Sequence, residues 1–148
     1  MSMNNEWPHT YIGCFQIDGE PVAMGRPRFT KTGRVYTPKK TEDALNFIAS
    51  IAAENIPYRE SEALFELSVT FYFKRPKRLK EGQTVRKGTK PDLDNLIKTV
   101  KDGITRSGIW KDDSQVVSLR ASKFYCASDT EPFTSVFLYP VRNDTLPF

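Results

Sequence analysis

The sequence predicts a mixed α+β fold of a single domain. A chain of 148 residues is long enough to bury one hydrophobic core. Several short segments alternate between apolar and polar residues, as strands do, and two longer segments repeat apolar residues at helical spacing. Their order, β-β-β-α-β-α-β-β, predicts a mixed sheet with two main helices on one face. Residues 1–10 are predicted to form a flexible polar leader, and residues 11–148 form the domain.

The first half of the chain contains a strand, an arm and a helix. Residues 11–18 alternate and predict a strand, whereas residues 22–38 contain two glycines and two prolines and predict a strand–turn–strand arm. Helical spacing of Ala, Leu and Ile predicts a helix from about Thr41 to Glu54, which Pro57 would end. Thr37 or Thr41 could cap that helix.

The second half of the chain begins with the segment in which apolar and polar residues alternate most regularly. Residues 63–73 predict a strand, and residues 74–90 predict a basic loop without periodicity, expected to be mobile without a ligand. A helix is predicted from Asp92, with the apolar stripe on one side and Gly108 as its stop signal. Residues 114–128 and 132–141 predict two strands that pair as a hairpin, joined by a turn at Ser128-Asp129.

Several chemistries are excluded by composition. The only histidine is His9, in the leader, so Ser-His or Cys-His catalysis and a usual zinc site lack residues. No phosphate-binding glycine motif is present, no apolar run is long enough to span a membrane, and the start lacks the pattern of a secretion signal. Cys14 and Cys126 are far apart, which is typical of a protein of the reduced cytoplasm.

Positive charge is concentrated in two segments. Residues 24–40 hold six basic residues and no acidic residue, and residues 74–90 hold eight basic residues and one glutamate. The net charge of the chain is only +4, so the remainder of the chain is acidic. Such segments are often no more than solvated surface, but two single-sign segments on an acidic domain favour binding to phosphates of a nucleic acid.

Four aspartates stand near these segments. Asp92 and Asp94 open the second helix, and Asp112 and Asp113 precede the next strand. Each has an ordinary explanation as a cap, a first-turn acid or a turn residue. Together, Asp92 and Asp94 beside a basic loop could hold a divalent cation, and a strand returning along the helix could bring Asp113 to the same region. Lys98 is one turn from Asp94, where it could pair with that carboxylate or face a phosphate.

The segment KPDLDNLIK, followed by GIWKDDSQV, resembles the signature of the RusA-type Holliday junction resolvases, which are phage-borne and bacterial endonucleases. The GRPRF arm is similar too, and the resemblance covers roughly residues 12 to 140. It implies a homodimer that binds Mg²⁺, with Mn²⁺ as a possible substitute, and cuts opposing strands of a four-way DNA junction during recombination and repair. The residues implied are the metal ligands Asp92, Asp94 and Asp113, the catalytic helix lysine Lys98, and the supporting residues Asn95 and Asp112.

Under this interpretation the basic residues contact the DNA backbone. The predicted contacts are Arg26, Arg28, Lys31, Arg34, Lys74, Arg75, Lys77, Arg78, Arg86, Lys87 and Lys90. Two other functions stay open. One is a non-catalytic nucleic-acid-binding module of the same fold, and the other is a D-x-D phosphohydrolase acting on small phosphate esters.

Overall fold

The fold, described for residues 6–141 in a computed structural model, is the predicted single-domain α+β arrangement. A short 3₁₀ turn at Asp113–Gln115 is the only addition to the predicted helices within that range. The helices and strands are β1 (Gly13–Asp18), β2 (Arg28–Phe29), β3 (Val35–Tyr36), α1 (Lys39–Asn55), β4 (Leu64–Phe73), α2 (Leu93–Ser107), β5 (Val116–Tyr125) and β6 (Phe133–Val141). No helix among these is long and apolar enough to cross a membrane.

The main sheet has the strand order β1-β6-β4-β5. β6 is antiparallel to both β1 and β4, whereas β5 is parallel to β4. Every second residue of β4 is buried, from Phe65 to Phe73, and these side chains share one core with the apolar faces of α1 and α2. Both helices therefore cover the same face of the sheet, as predicted, and no helix of residues 6–141 covers the opposite face, which we call the uncovered face.

The predicted hairpin between the last two strands is wrong. β5 and β6 run in opposite directions but lie on either side of β4, and the link between them passes the end of β4. The reason is that α2 acts as a crossover, which returns the chain parallel to β4 and leaves β5 at the sheet edge. β4 suits the central position because its apolar alternation extends over all ten residues, while residues 117–120 of β5 are exposed.

The predicted cap of the first helix is also wrong. Pro38 occupies the N-cap position of α1, and no side chain caps the helix. Thr41 is instead buried within the first turn, where its Oγ1 accepts a hydrogen bond of 3.2 Å from the backbone N–H of Gly25. A Cβ on Gly25 would lie only 2.8 Å from that oxygen, so the glycine allows the arm to approach α1.

The end of the predicted leader is packed rather than loose. Residues 1–5 lie outside the described residues, but Trp7 is only 4% exposed and belongs to the core. Its indole N–H donates to the carbonyl of Tyr11 at 2.7 Å, and its ring contacts Tyr58 and Phe65. Trp7 was not predicted as a core residue because most of its neighbours in the sequence are polar. It completes the core beside β1.

The two helices touch where Gly103 of α2 meets Ile48 of α1. A Cβ on Gly103 would lie 2.5 Å from Cγ2 and 2.7 Å from Cβ of Ile48. These distances are shorter than any real carbon contact, so the glycine is what allows the helix axes to approach closely. The glycine costs helix propensity, about 1 kcal/mol relative to alanine, in exchange for this packing.

We expect Gly103→Ala to destabilise the fold by about 1–2 kcal/mol, the upper part of the range that is left when the gain in helix propensity is subtracted from the overpacking cost. The alanine gains helix propensity, but overpacking of a core costs roughly 1–3 kcal/mol, and Ile48 is branched at the atom that would clash. The measurement is the free energy of unfolding in urea. Gly88→Ala is the control, because a Cβ there meets nothing within 4 Å, and it should change stability by less than about 0.5 kcal/mol. An unchanged or raised stability of Gly103→Ala would contradict the close helix contact.

Candidate active site

The start of α2 presents two carboxylates to solvent. Asp92 occupies the N-cap position and Asp94 lies in the first turn, and both residues are exposed. The carboxylate of Asp92 makes no capping hydrogen bond, although its position is the one predicted for a cap. Among residues 6–141 no hydrogen-bond donor contacts its oxygens, which face solvent at the start of α2.

This end of α2 is anchored from two sides. Lys123 of β5 donates from Nζ to the carbonyl oxygens of Thr89 and Pro91, each at 2.8 Å. From the other side, the backbone N–H of Met24 in the arm donates to the carbonyl of Asn95 at 3.0 Å. The two contacts hold the segment that carries Asp92 and Asp94 between the sheet and the arm.

Lys123 was not among the residues predicted for the site. It stands opposite Phe71 in the parallel register, so it occupies a position on the helix-covered face of the sheet. Burying the ammonium group of a lysine at such a position costs free energy unless the group donates hydrogen bonds to acceptors. The break in apolar alternation between Ala121 and Tyr125 is the sequence signal that could have identified it.

Of the two alternatives given for Lys98, the ion pair with Asp94 is not formed. Its ammonium lies 3.9 Å from Asp102, one turn further along the helix, and its side chain is 62% exposed. An exposed pair at this distance contributes little and is easily exchanged for another partner. The side chain of Lys98 therefore keeps its freedom to move toward a ligand at the start of the helix.

Asp112 is committed to the short turn before β5. Its carboxylate accepts from the backbone N–H of Ser114 at 3.0 Å, while Oε1 of Gln115 accepts from the N–H groups of Lys111 and Asp112. Hydrogen bonds from the side chain and backbone of Ser114 hold the pKa of Asp112 below its ordinary value. Nε2 of Gln115 also donates to the carbonyls of Ser61 and Ala63, which ties the turn to the segment before β4.

Asp113 pairs with Lys101 of α2. Its carboxylate is 3.8 Å from the ammonium of Lys101, which stands seven residues after Asp94 and therefore about 10 Å further along the helix. Across residues 6–141, no three acidic, histidine or cysteine side chains are grouped closely enough to hold a metal ion. Within one chain, the structure does not bring the three predicted metal ligands together.

The two basic segments meet in one cavity beside Asp92, which we name the basic groove. Its volume is about 590 Å³, and it extends to Pro91. The cationic side chains along it are Arg26 and Arg28 of the first basic segment, Lys87 and Lys90 of the second, and Lys40 of α1. Lys40 was not predicted as a contact, although it belongs to the same basic segment of the sequence.

The other predicted DNA contacts lie outside this groove. Lys31 and Arg34 are exposed near the turn between β2 and β3, and Lys74, Lys77 and Arg78 are exposed at the start of the basic loop. Arg75 lines a different cavity, and the guanidinium of Arg86 lies 5.0 Å from the ring centroid of Phe124. The end of the basic loop is structured, because its residues 85–87 form backbone hydrogen bonds with residues 123–125 of β5.

Comparison with known proteins gives one family and two informative relatives. The family model described as endodeoxyribonuclease RusA matches residues 18–136, which is well over half of the chain. The uncharacterized protein YqaN of Bacillus subtilis strain 168 is 37% identical over 139 residues, covering 86% of this chain and 95% of YqaN. The crossover junction endodeoxyribonuclease rusA of Lactococcus phage r1t is 42% identical over 66 residues, covering 43% of this chain and 47% of the phage protein.

The range matched by the family model spans both segments that carry the four aspartates, at the start of α2 and before β5. This chain belongs to the endodeoxyribonuclease RusA family.

Proposed function

We propose that this protein is a metal-dependent, structure-selective DNA endonuclease that resolves four-way junctions by paired symmetric nicks. The observation that carries the proposal is the basic groove, because it joins both basic segments beside the free carboxylates at the start of α2. Membership of the RusA family and the similarity to a phage protein named as a crossover junction endodeoxyribonuclease support the same activity.

The groove supplies affinity for the DNA backbone. Its arginines and lysines neutralise phosphates, which gives binding that weakens as salt is added and reads little sequence. Exposed carboxylates beside such a groove repel a phosphate unless a cation lies between them. Asp92 and Asp94 therefore oppose DNA binding when no metal is present, a cost that a purely binding surface has no reason to carry.

The carboxylates of Asp92, Asp94 and Asp113 are the residues that would hold Mg²⁺ or Mn²⁺, because hard oxygen ligands suit these ions. When bound, the ion activates water and stabilises charge that develops on the phosphate. Lys98 has only a weak surface pair with Asp102, and its ammonium is able to face the scissile phosphate or orient the attacking water. Asp112 holds the turn that positions Asp113.

We further propose that the active form is a homodimer in which Asp113 of a second copy completes the site. β5 is an edge strand, and no described residue pairs with its outer edge from Val116 to Ser122. Val117 and Leu119 on this strand are 55% and 51% exposed, so the edge is suited to pairing with another chain.

The geometry of such a pair would bring the three predicted ligands together although one chain does not. In an antiparallel pair of β5 strands centred on Leu119, the start of one strand lies opposite the end of the other. Asp113 precedes the start of β5, and Lys123 near its end holds the segment that leads to Asp92. Pairing in this way would bring Asp113 of each copy toward Asp92 and Asp94 of the other.

A non-catalytic DNA-binding module is the second candidate. It is favoured by the observation that no three carboxylates are grouped within residues 6–141 of one chain. Both candidates predict salt-sensitive binding to branched DNA. Only the nuclease predicts nicks that appear with Mg²⁺ and disappear with EDTA.

We expect Asp94→Asn to lower the rate of junction cutting by more than about 100-fold, because residues that merely support a metal ligand already contribute roughly 10–100-fold. Junction binding should be unchanged or tighter, since one negative charge is removed from beside the groove. The measurement is cleavage of an end-labelled four-way junction in Mg²⁺, with binding measured in EDTA. Asp43→Asn, which changes an exposed acid of α1, is the matched control and should cut normally. Normal cutting by Asp94→Asn would show that the site is assigned wrongly.

We expect Arg28→Gln to weaken junction binding and to reduce the slope of log affinity against log salt by about 1, because one phosphate contact is lost. The measurement is binding in EDTA over a series of salt concentrations. Arg120→Gln changes an exposed arginine outside the groove and serves as the charge-matched control. If the two variants had equal slopes of log affinity against log salt, the basic groove would not be the surface that binds DNA phosphates.

We expect Leu119→Lys to disrupt the dimer, because two lysines would meet at the centre of the proposed strand pair. The mass measured by sedimentation should fall from that of two chains toward that of one, and the rate of junction cutting should fall as well. Phe47→Lys changes an exposed apolar side chain of α1 and controls for added charge. A wild-type protein that sediments and cuts as a single chain would contradict the dimer.

A further inference from the structure

A second cavity lies on the uncovered face of the sheet, away from α1 and α2. Tyr72 alternates with the buried residues Phe71 and Phe73, so its ring points to the uncovered face. It is flanked by Phe133 of β6 at a centroid distance of 4.4 Å and by Phe124 of β5 at 6.0 Å, with interplanar angles of 20° and 25°. The three rings form a continuous aromatic row across three neighbouring strands.

This row lines a cavity of about 700 Å³, which we name the aromatic cavity. Its rim includes Gln83 and Thr84 from the end of the basic loop and Asp129 from the link before β6. The volume falls within the range of about 300–1,000 Å³ that is usual for small-ligand sites. An apolar floor with a few polar groups at the rim is also the composition of such sites.

The charges around the aromatic cavity suit a heterocyclic base better than a phosphate. Asp129 and Glu81 line it, and their carboxylates would repel a phosphate but can accept hydrogen bonds from the amino groups of a base. Arg75 also lines it, but its guanidinium donates to the backbone carbonyl of Lys80. The guanidinium of Arg86 over Phe124 extends the surface on which a flat ring can pack.

We propose that the aromatic cavity binds an unpaired nucleobase of branched DNA. This inference rests on the proposed function, because it takes DNA as the ligand and adds which form of DNA is recognised. Bases inside a duplex are stacked and paired, so only bases freed near a branch point or in a single strand can enter. Aromatic side chains bind any base by stacking or edge contacts, so the cavity would select for open structure rather than for sequence.

The first arm of the test changes the DNA and leaves the protein intact. Binding of a short fluorescent single-stranded oligodeoxynucleotide is compared with binding of the same strand carrying abasic sites, in EDTA and at one salt concentration. Both strands have the same phosphates, so the basic groove treats them alike. Removal of the bases should weaken binding by about ten-fold. Equal binding of the two strands would overturn the proposal.

The second arm places the effect in the cavity. In Tyr72→Leu the difference between the two strands should disappear, whereas Phe137→Leu should keep the full difference. Phe137 is the matched control, because it is an exposed ring on the same face of the sheet, stacked on Tyr139 instead of the aromatic row. A difference that persists in Tyr72→Leu would place the base contacts elsewhere.

A third arm needs no variant, so it decides the question even if Tyr72→Leu fails to fold. An oligonucleotide containing 5-iodouracil is crosslinked to the wild-type protein by light, and the crosslinked peptides are identified. Crosslinks to residues 72–84 or 124–133 support the proposal, and crosslinks confined to residues 26–40 and 87–90 overturn it. Displacement of the oligonucleotide by an equal concentration of deoxyadenosine monophosphate would overturn the assignment to DNA in favour of a free nucleotide.

Failure of this proposal is distinguishable from failure of the nuclease function. Wild-type protein that cuts junctions in Mg²⁺ but binds abasic strands equally well retains the nuclease function and loses the base site. Protein that does not cut, but loses base-dependent binding in Tyr72→Leu, retains the base site and loses the nuclease function.

Discussion

The contact on which the site depends is the one between Lys123 and the segment before α2. A lysine on the helix-covered face of a sheet has to find acceptors, and Lys123 finds them in the carbonyls of Thr89 and Pro91. The sheet therefore holds one end of the basic loop and the first turn of α2 at the same point. Asp92 and Asp94 stand on that turn, and Lys87 and Lys90 stand on that end of the loop, so a single anchor keeps carboxylates and cations adjacent.

The helix pair provides the second constraint. Gly103 against Ile48 sets how closely α1 and α2 approach, and the arm is tied to both helices through Gly25 on Thr41 and Met24 on Asn95. The cationic arm therefore cannot move away from the start of α2 without breaking these two hydrogen bonds. The basic groove is thus built from two segments distant in sequence: the arm, which is bonded to α1 and α2, and the end of the basic loop, which is bonded to β5 and leads into α2.

Local patterns were enough to predict the elements of the fold but not how they associate. The alternation of β4 and the apolar stripe of α2 come from residues close in sequence, so both were predicted correctly. The placement of β4 between β5 and β6 depends on pairing partners far along the chain, and Trp7 was missed because its partner Phe65 is equally distant. For the candidate site, the sequence pattern pointed to the two aspartate pairs, which stay a prediction, but not to Lys123, whose contacts depend on the sheet register. The contact of Asp113 with Lys101 could not be predicted either, because it depends on how the turn before β5 packs against α2.

The central claim is that carboxylates from two copies share one divalent ion, and mixing two inactive variants tests it most directly. Asp94→Asn and Asp113→Asn chains, each with a different tag, are co-expressed and purified through both tags, so that every particle contains one of each. If Asp113 acts across the dimer, one of the two sites has all three carboxylates, and Mg²⁺-dependent nicking of a four-way junction returns, on one strand of each junction at a time. If Asp113 acts within its own chain, neither site is complete, and a mixed dimer that stays inert would contradict the account.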